Sequence, residues 1–242
     1  MAVDTRQGVP RMTSFAGTLT SASANGTQQT PVKITTRLME KPLAAPKPRM
    51  APLTDEQRAA ILFRLRSQNR DERVAACHDL QRAAPDDDAS EIDDELVPLL
   101  NDQGLFARWA AVDALKVWAT ADSIPALIKS LLDPEHSVRW AALDALGALQ
   151  DERAAEPMAR RLDSEDRGFV EPALKKLGPA AEPAVIPSLQ DPAWETRMAV
   201  CHVLQEVGTR KSIPALEALS KDSNAIVVGA ARDAWNAIKQ RN

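Results

Sequence analysis

RWAAVDAL at residues 108–115 returns as RWAALDAL at residues 139–146, with Val112 exchanged for Leu143. A chain that rewrites itself at a spacing of about 30 residues is built from supersecondary units that cannot bury their apolar faces alone. Such units become stable by stacking, so the repeat restricts the fold to an array before any element is assigned.

The repeat extends well beyond these two copies. Turn aspartates fall in register at Asp102, Asp133, Asp163, Asp191 and Asp222, 28 to 31 residues apart, and Ser67 fills the slot in a weaker first unit. Each unit reads as a short apolar helix, a polar turn and a second helix. In the clearest unit the first helix is SIPALIKSLL, with Ser123 expected as its cap and Pro125 in its first turn, where the missing N–H costs nothing. The turn is DPEHS, and the second helix, VRWAALDALGAL, is expected to close at Gly147 or the next turn. SIPAL recurs at 212–216. Aromatic residues make up only 4% of the chain and Tyr is missing, a bias toward closely packed helices with almost no strand.

The Asp turn and the V-R-x-A-A-x-x-A-L-G second helix resemble HEAT-like repeats of the short, phycobilin-lyase type over residues 53–242. The resemblance implies an all-α fold, a right-handed α-solenoid of about six helix pairs. It leaves function open, because the class ranges from scaffolds to lyases and hydroxylases.

Residues 1–52 differ in kind. They are rich in Ser, Thr, Gly, Pro and Ala, poor in large apolar groups, and are expected to form a disordered tail with a Pro-rich linker. Order is expected from LTDEQRAA, where Thr54 and Gln57 make a capping box. The tail carries seven basic residues and two acidic ones, leaving 23 basic against 32 acidic, a net of −9, for residues 53–242. That balance argues against nucleic acid, although Arg160, Arg161 and Arg167 form a local basic group. No run has the roughly 18 apolar residues of a membrane span, and MAVDTRQGVP is not a secretory signal, so the cytoplasm is the expected compartment.

On a helical wheel Val138, Ala141, Ala142, Ala145, Leu146 and Leu149 share the inner side, while Trp140, Asp144 and Gly147 point away. The Trp140 slot reads Val74, Trp109, Trp140, Glu171, Met198 and Gly229 through the units, and the slot one turn on holds His78, Asp113, Asp144, Lys175, His202 and Asp233. The turns add Leu105, Phe106, His136 and Trp194. The resemblance implies that these positions meet partners. The expected partner-binding surface is therefore Phe106, Trp109, Asp113, His136, Trp140, Asp144, Trp194, Met198 and His202, with Asp113 and Asp144 steering a basic partner. A Trp at this slot can equally fold over the joint between units.

Arg73, Arg108, Arg139 and Arg197 share another slot, broken by Val170 and Val228. They read as an Asp–Arg ladder stapling unit to unit, in preference to a ligand-binding ridge. Pro98 and Pro187 are expected to kink or delay their first helices, and Pro172 with the longer EDRGFVEP turn to change the stacking.

Catalytic chemistry is not evident. Cys77 and Cys201 sit in one slot four units apart, too distant for a disulfide or a shared metal, and are expected as small fillers at the flank of the core. His78, His136 and His202 lack zinc-site spacing, and no His-Glu dipeptide supports the di-iron centre of the hydroxylases in this class. No cofactor, metal or small-molecule substrate is expected. The reading is a non-enzymatic scaffold or adaptor for a protein or peptide. The alternative, implied by the resemblance, is a chromophore lyase-like subunit or chaperone acting on a phycobiliprotein-type partner.

Overall fold

The computed structural model of the chain describes residues 20–21, 28–29, 51–86 and 89–241. The segment expected to be disordered lies outside these residues except for three short strands. β1 (Thr20–Ser21) pairs antiparallel with β2 (Gln28–Gln29) in a first compact unit, residues 1–49. β3 (Ala51–Pro52) belongs to the second compact unit, where it pairs in parallel with β4 (Ala83–Ala84); these two residues of the expected linker are thus part of the folded array.

The second compact unit is six helix pairs. The first pair is α1 (Asp55–Leu65) and α2 (Arg70–Leu80), and the second is α3 (Ala89–Leu99) and α4 (Leu105–Trp118). Then come α5 (Ile124–Ser130) with α6 (His136–Leu149), and α7 (Ala155–Ala159) with α8 (Arg167–Leu177). The last two pairs are α9 (Ala181–Val185) with α10 (Trp194–Val207), and α11 (Ile213–Ala218) with α12 (Ala225–Arg241). Each second helix packs on the second helices before and after it, which is the continuous core that the sequence period requires.

Local signals set the helix boundaries. The capping box forms: Thr54 Oγ1 accepts the Gln57 N–H at 3.2 Å, and the Gln57 side chain accepts the Thr54 N–H at 3.0 Å. Ser123 stands at the N-cap of α5, but its side chain makes no cap bond; it is buried and its hydroxyl donates to the Thr120 carbonyl at 3.1 Å. Pro98 is the penultimate residue of α3, whose start is not delayed, whereas Pro187 falls in a 3-10 stretch, Ile186–Gln190, that replaces the end of the first helix in the fifth unit. Pro172 is carried inside α8.

The buried face of α6 is wider than the wheel suggests: Val138, Arg139, Ala142, Leu143, Ala145, Leu146 and Gly147 are all buried, while Ala141 and Leu149 are only partly so. A helix flanked by α4, α5 and α8 has three sides to fill. Gly147 therefore neither ends the helix nor points to solvent. It lies where α6 meets α8, and a Cβ there would stand 2.7 Å from the Ala173 carbonyl oxygen. The Leu143 slot is core, not flank: Cys77 and Cys201 are fully buried, and burial pushes both thiols up to about 12.

The arginine slot forms the ladder. Each arginine donates backward to the carbonyl of its own turn and forward to the turn carboxylate of the next unit. Arg73 reaches Ser67 O and Asp102, and Arg108 reaches Asp102 O and Asp133. Arg139 reaches Asp133 O and Asp166, and Arg197 reaches Asp191 O and Asp222. Each of these forward pairs forms a rung, most with the two-pronged guanidinium geometry that suits a carboxylate. Asp163, expected in the fourth turn, is exposed and takes no rung. Its two jobs are divided: Ser164 Oγ accepts the N–H two residues on, as Ser67 does in the first unit, and Asp166 accepts the arginine.

Candidate interaction surface

Asp166 organises the centre of the surface. It is 1% exposed, and it accepts Arg139 Nε and Nη2 at 2.8 and 3.1 Å, Arg161, and the indole N–H of Trp140 at 2.9 Å. Burial alone would raise its carboxyl, but the donors from Arg139, Arg161 and Trp140 outweigh that and hold it down to about 2. A carboxylate fixed in this way fixes the plane of the Trp140 ring.

That ring lies in a stack across two units. His136, one turn earlier on α6, approaches Trp140 with centroids 4.5 Å apart and planes tilted by 56°. On the other side Phe169 of α8 stacks at 3.9 Å and 15°. Phe169 remains 43% exposed, so the stack presents a ring to solvent. Phe169 does not stand out among equivalent slots, because its ring contacts a non-equivalent position on the neighbouring unit. The longer EDRGFVEP turn, which brings a Phe to the start of α8, is the available signal.

The remaining expected residues divide. Trp109 is half-buried, edge-on to His78 of the preceding unit at 6.3 Å. Trp194 and Met198 are half-buried against the core. Phe106 is 66% exposed and makes no ring contact among the described residues. His202 Nδ1 lies 3.5 Å from Glu171, which also takes Lys175 at 2.8 Å.

Asp144 does not serve as a free acid. It is shared by Lys116, one unit before, and Lys176, one unit after, and these lysines hold its carboxyl below the ordinary value against the opposing effect of burial. Asp113 is half-buried and has no hydrogen-bonded or ionic partner among the described residues. Glu135 and Glu165, next in sequence to His136 and Asp166, are exposed, and Glu165 accepts Arg139 at 2.7 Å. The basic group at 160–167 is largely neutralised: Arg160 pairs with Glu156, Arg161 with Asp166, and Arg167 donates to the Leu162 carbonyl. Among the described residues no cluster of three or more His, Cys, Asp or Glu is placed to hold a metal ion, and no helix is long and apolar enough to cross a membrane.

The family model for HEAT repeats matches residues 94–178 and 172–235, more than half of the chain. This chain belongs to the HEAT-repeat family. No curated protein matches it. Among solved structures, it is similar to an engineered protein at 20% identity and a TM-score of 0.50, covering 78% of this chain and 98% of the other. A designed armadillo repeat protein in complex with the peptide (KR)4 aligns at 18% identity and a TM-score of 0.49, over 76% of this chain and 100% of the other. The complex of CpcE and CpcF of phycocyanin lyase from Nostoc sp. PCC7120 aligns at 23% and 0.48, over 77% of each. The first of these likenesses shows the fold, in agreement with the repeat.

Proposed function

We propose that this HEAT-repeat protein is a non-enzymatic scaffold that binds a basic protein or peptide segment on the face formed by its second helices, centred on Trp140 and Phe169. The observation that carries the reading is the stacked pair itself: a locked indole supports a phenyl ring that is 43% exposed. A rigid aromatic surface loses little entropy when covered, which is the character of a binding hot spot. Exposed Glu135 and Glu165, and the net of −9 over residues 53–242, favour a cationic partner. An Arg or Lys of the partner would lie over Phe169 with Glu165 as its counter-ion.

Phe106, Trp109, Asp113, His136, Trp194, Met198 and His202 extend the surface on either side. Asp144 is a bridge between units and contributes shape more than charge. The two buried free thiols are consistent with a reducing compartment such as the cytoplasm.

The test is selection from a random peptide library on the intact chain, followed by affinities for Phe169→Ala and Glu165→Gln. Both side chains are largely exposed, so circular dichroism should stay helical, and urea midpoints measure what the lost stack and the lost Arg139 contact cost. Selected peptides enriched in Lys and Arg, and a loss of more than about 1 kcal/mol for Phe169→Ala, are expected. Unchanged affinity in both variants would make the ring stack purely architectural.

A further inference from the structure

The joints of the array are unequal. Rungs cross from the first unit to the second, the second to the third, the third to the fourth, and the fifth to the sixth. Between the fourth and fifth units there is none, because Val170, fully buried, fills the arginine slot. Asp191 accepts the N–H of Ala193 at 2.8 Å and no guanidinium among the described residues. The polar contacts seen across this joint are long: Thr196 Oγ1 to Leu162 O at 3.5 Å, and His202 Nδ1 to Glu171 at 3.5 Å.

The first helices on both sides are also the shortest of the array. α7 has five residues, and α9 has five between 3-10 stretches at Gly178–Ala180 and Ile186–Gln190. Beyond the joint the chain is tied again. Arg197 forks onto Asp222 at 2.7 and 2.8 Å, buried Glu182 takes Thr209 and Ser212, and Arg241 donates to the Gln205 and Gly208 carbonyls.

We propose that the solenoid opens first at the joint between α8 and α10, so that residues 55–177 and 178–241 are two cooperative blocks. Every joint buries apolar side chains, so the rung is what separates strong from weak. A hydrogen bond to a charged group contributes more than a neutral one, and a near-buried fork contributes two. Opening at this one place breaks no rung. In a stack whose stability is a sum of unit and nearest-neighbour terms, the weakest joint sets where sub-global opening begins.

Native-state hydrogen exchange on the full chain tests this. Amides of α10 and α12 should share one protection level, at least about tenfold below the level shared by α4 and α6, as expected when one charged hydrogen-bond pair is missing from the joint. Val170→Arg, which offers Asp191 a guanidinium, should raise that level, and adding Asp191→Asn should cancel the gain. Arg139→Leu supplies the converse, creating a second boundary between α6 and α8. Equal protection in α8 and α10, or a boundary at any other joint, overturns the proposal; if Val170→Arg does not fold, the wild-type boundary and Arg139→Leu decide it.

Discussion

The joint between the third and fourth units and the next one along make an instructive pair. Both bring second helices together over buried Ala, Val and Leu, yet Asp166 gathers two guanidiniums and an indole while Asp191 holds only its own turn. The apolar period makes stacking possible at every joint, and the polar turn decides how firmly each is closed. The ring stack stands on the firm joint, so the exposed aromatic surface is carried by its most tightly bonded turn.

The sharpest way to break this contrast is to remove Asp166. Asp166→Ala leaves the nearly buried Arg139 with only the exposed Glu165 as counter-ion and the Trp140 N–H without its acceptor, and should cost about 3–5 kcal/mol in urea unfolding. A loss below about 1 kcal/mol would show that the rung is not what closes the joint.

Acid should act in the same direction with a smaller effect. The Asp166 carboxyl titrates near about 2 in the folded chain and near about 3.9 unfolded, so its contribution is complete above about pH 4 and disappears as pH falls toward 2. Asp102 and Asp222 are also held below the ordinary carboxyl value, Asp102 by its turn N–H and Arg73 against burial, and Asp222 chiefly by Arg197. Unfolding midpoints followed from pH 6 to 2 should therefore fall more steeply in the wild type than in Asp166→Asn, by on the order of 2 kcal/mol. Parallel curves would remove Asp166 from the acid response.

The smallest effect belongs to the other joint. Asp191→Ala removes one turn acceptor and no rung, and should cost about 1 kcal/mol. A loss equal to that of Asp166→Ala would abolish the distinction between the two joints.

The helix pairs, their number and the ladder were legible because each follows from a single period: apolar residues at helical spacing, a polar turn, an arginine four residues into the second helix. What escaped depended on relations between units. The aspartate register points to Asp163 in the fourth turn, whereas Ser164 performs the turn bond and Asp166 the ionic one. Phe169 escaped because it stacks on a non-equivalent neighbour. Asp144 looks like a free acid on its own helix, although its lysines lie 28 and 32 residues away, about one repeat in either direction, a spacing the sequence shows. The burial of Leu143, Cys77 and Cys201 could not be seen on a wheel that gave the helix one inner side.

The two-way reach of each ladder arginine has a consequence for how such a chain can change its length. A unit that carries both an acceptor in its turn and an arginine in its second helix is a self-consistent cassette: copied in between two like units, it receives a donor from one side and offers one to the other. No buried charge is stranded by the insertion, and no compensating substitution is needed elsewhere. RWAAVDAL and RWAALDAL lie in two units that satisfy this condition, with Asp102 and Asp133 as acceptors and Arg108 and Arg139 as donors. The fourth unit, with Val170, fails it, and a copy of that unit would add a second open seam to the array.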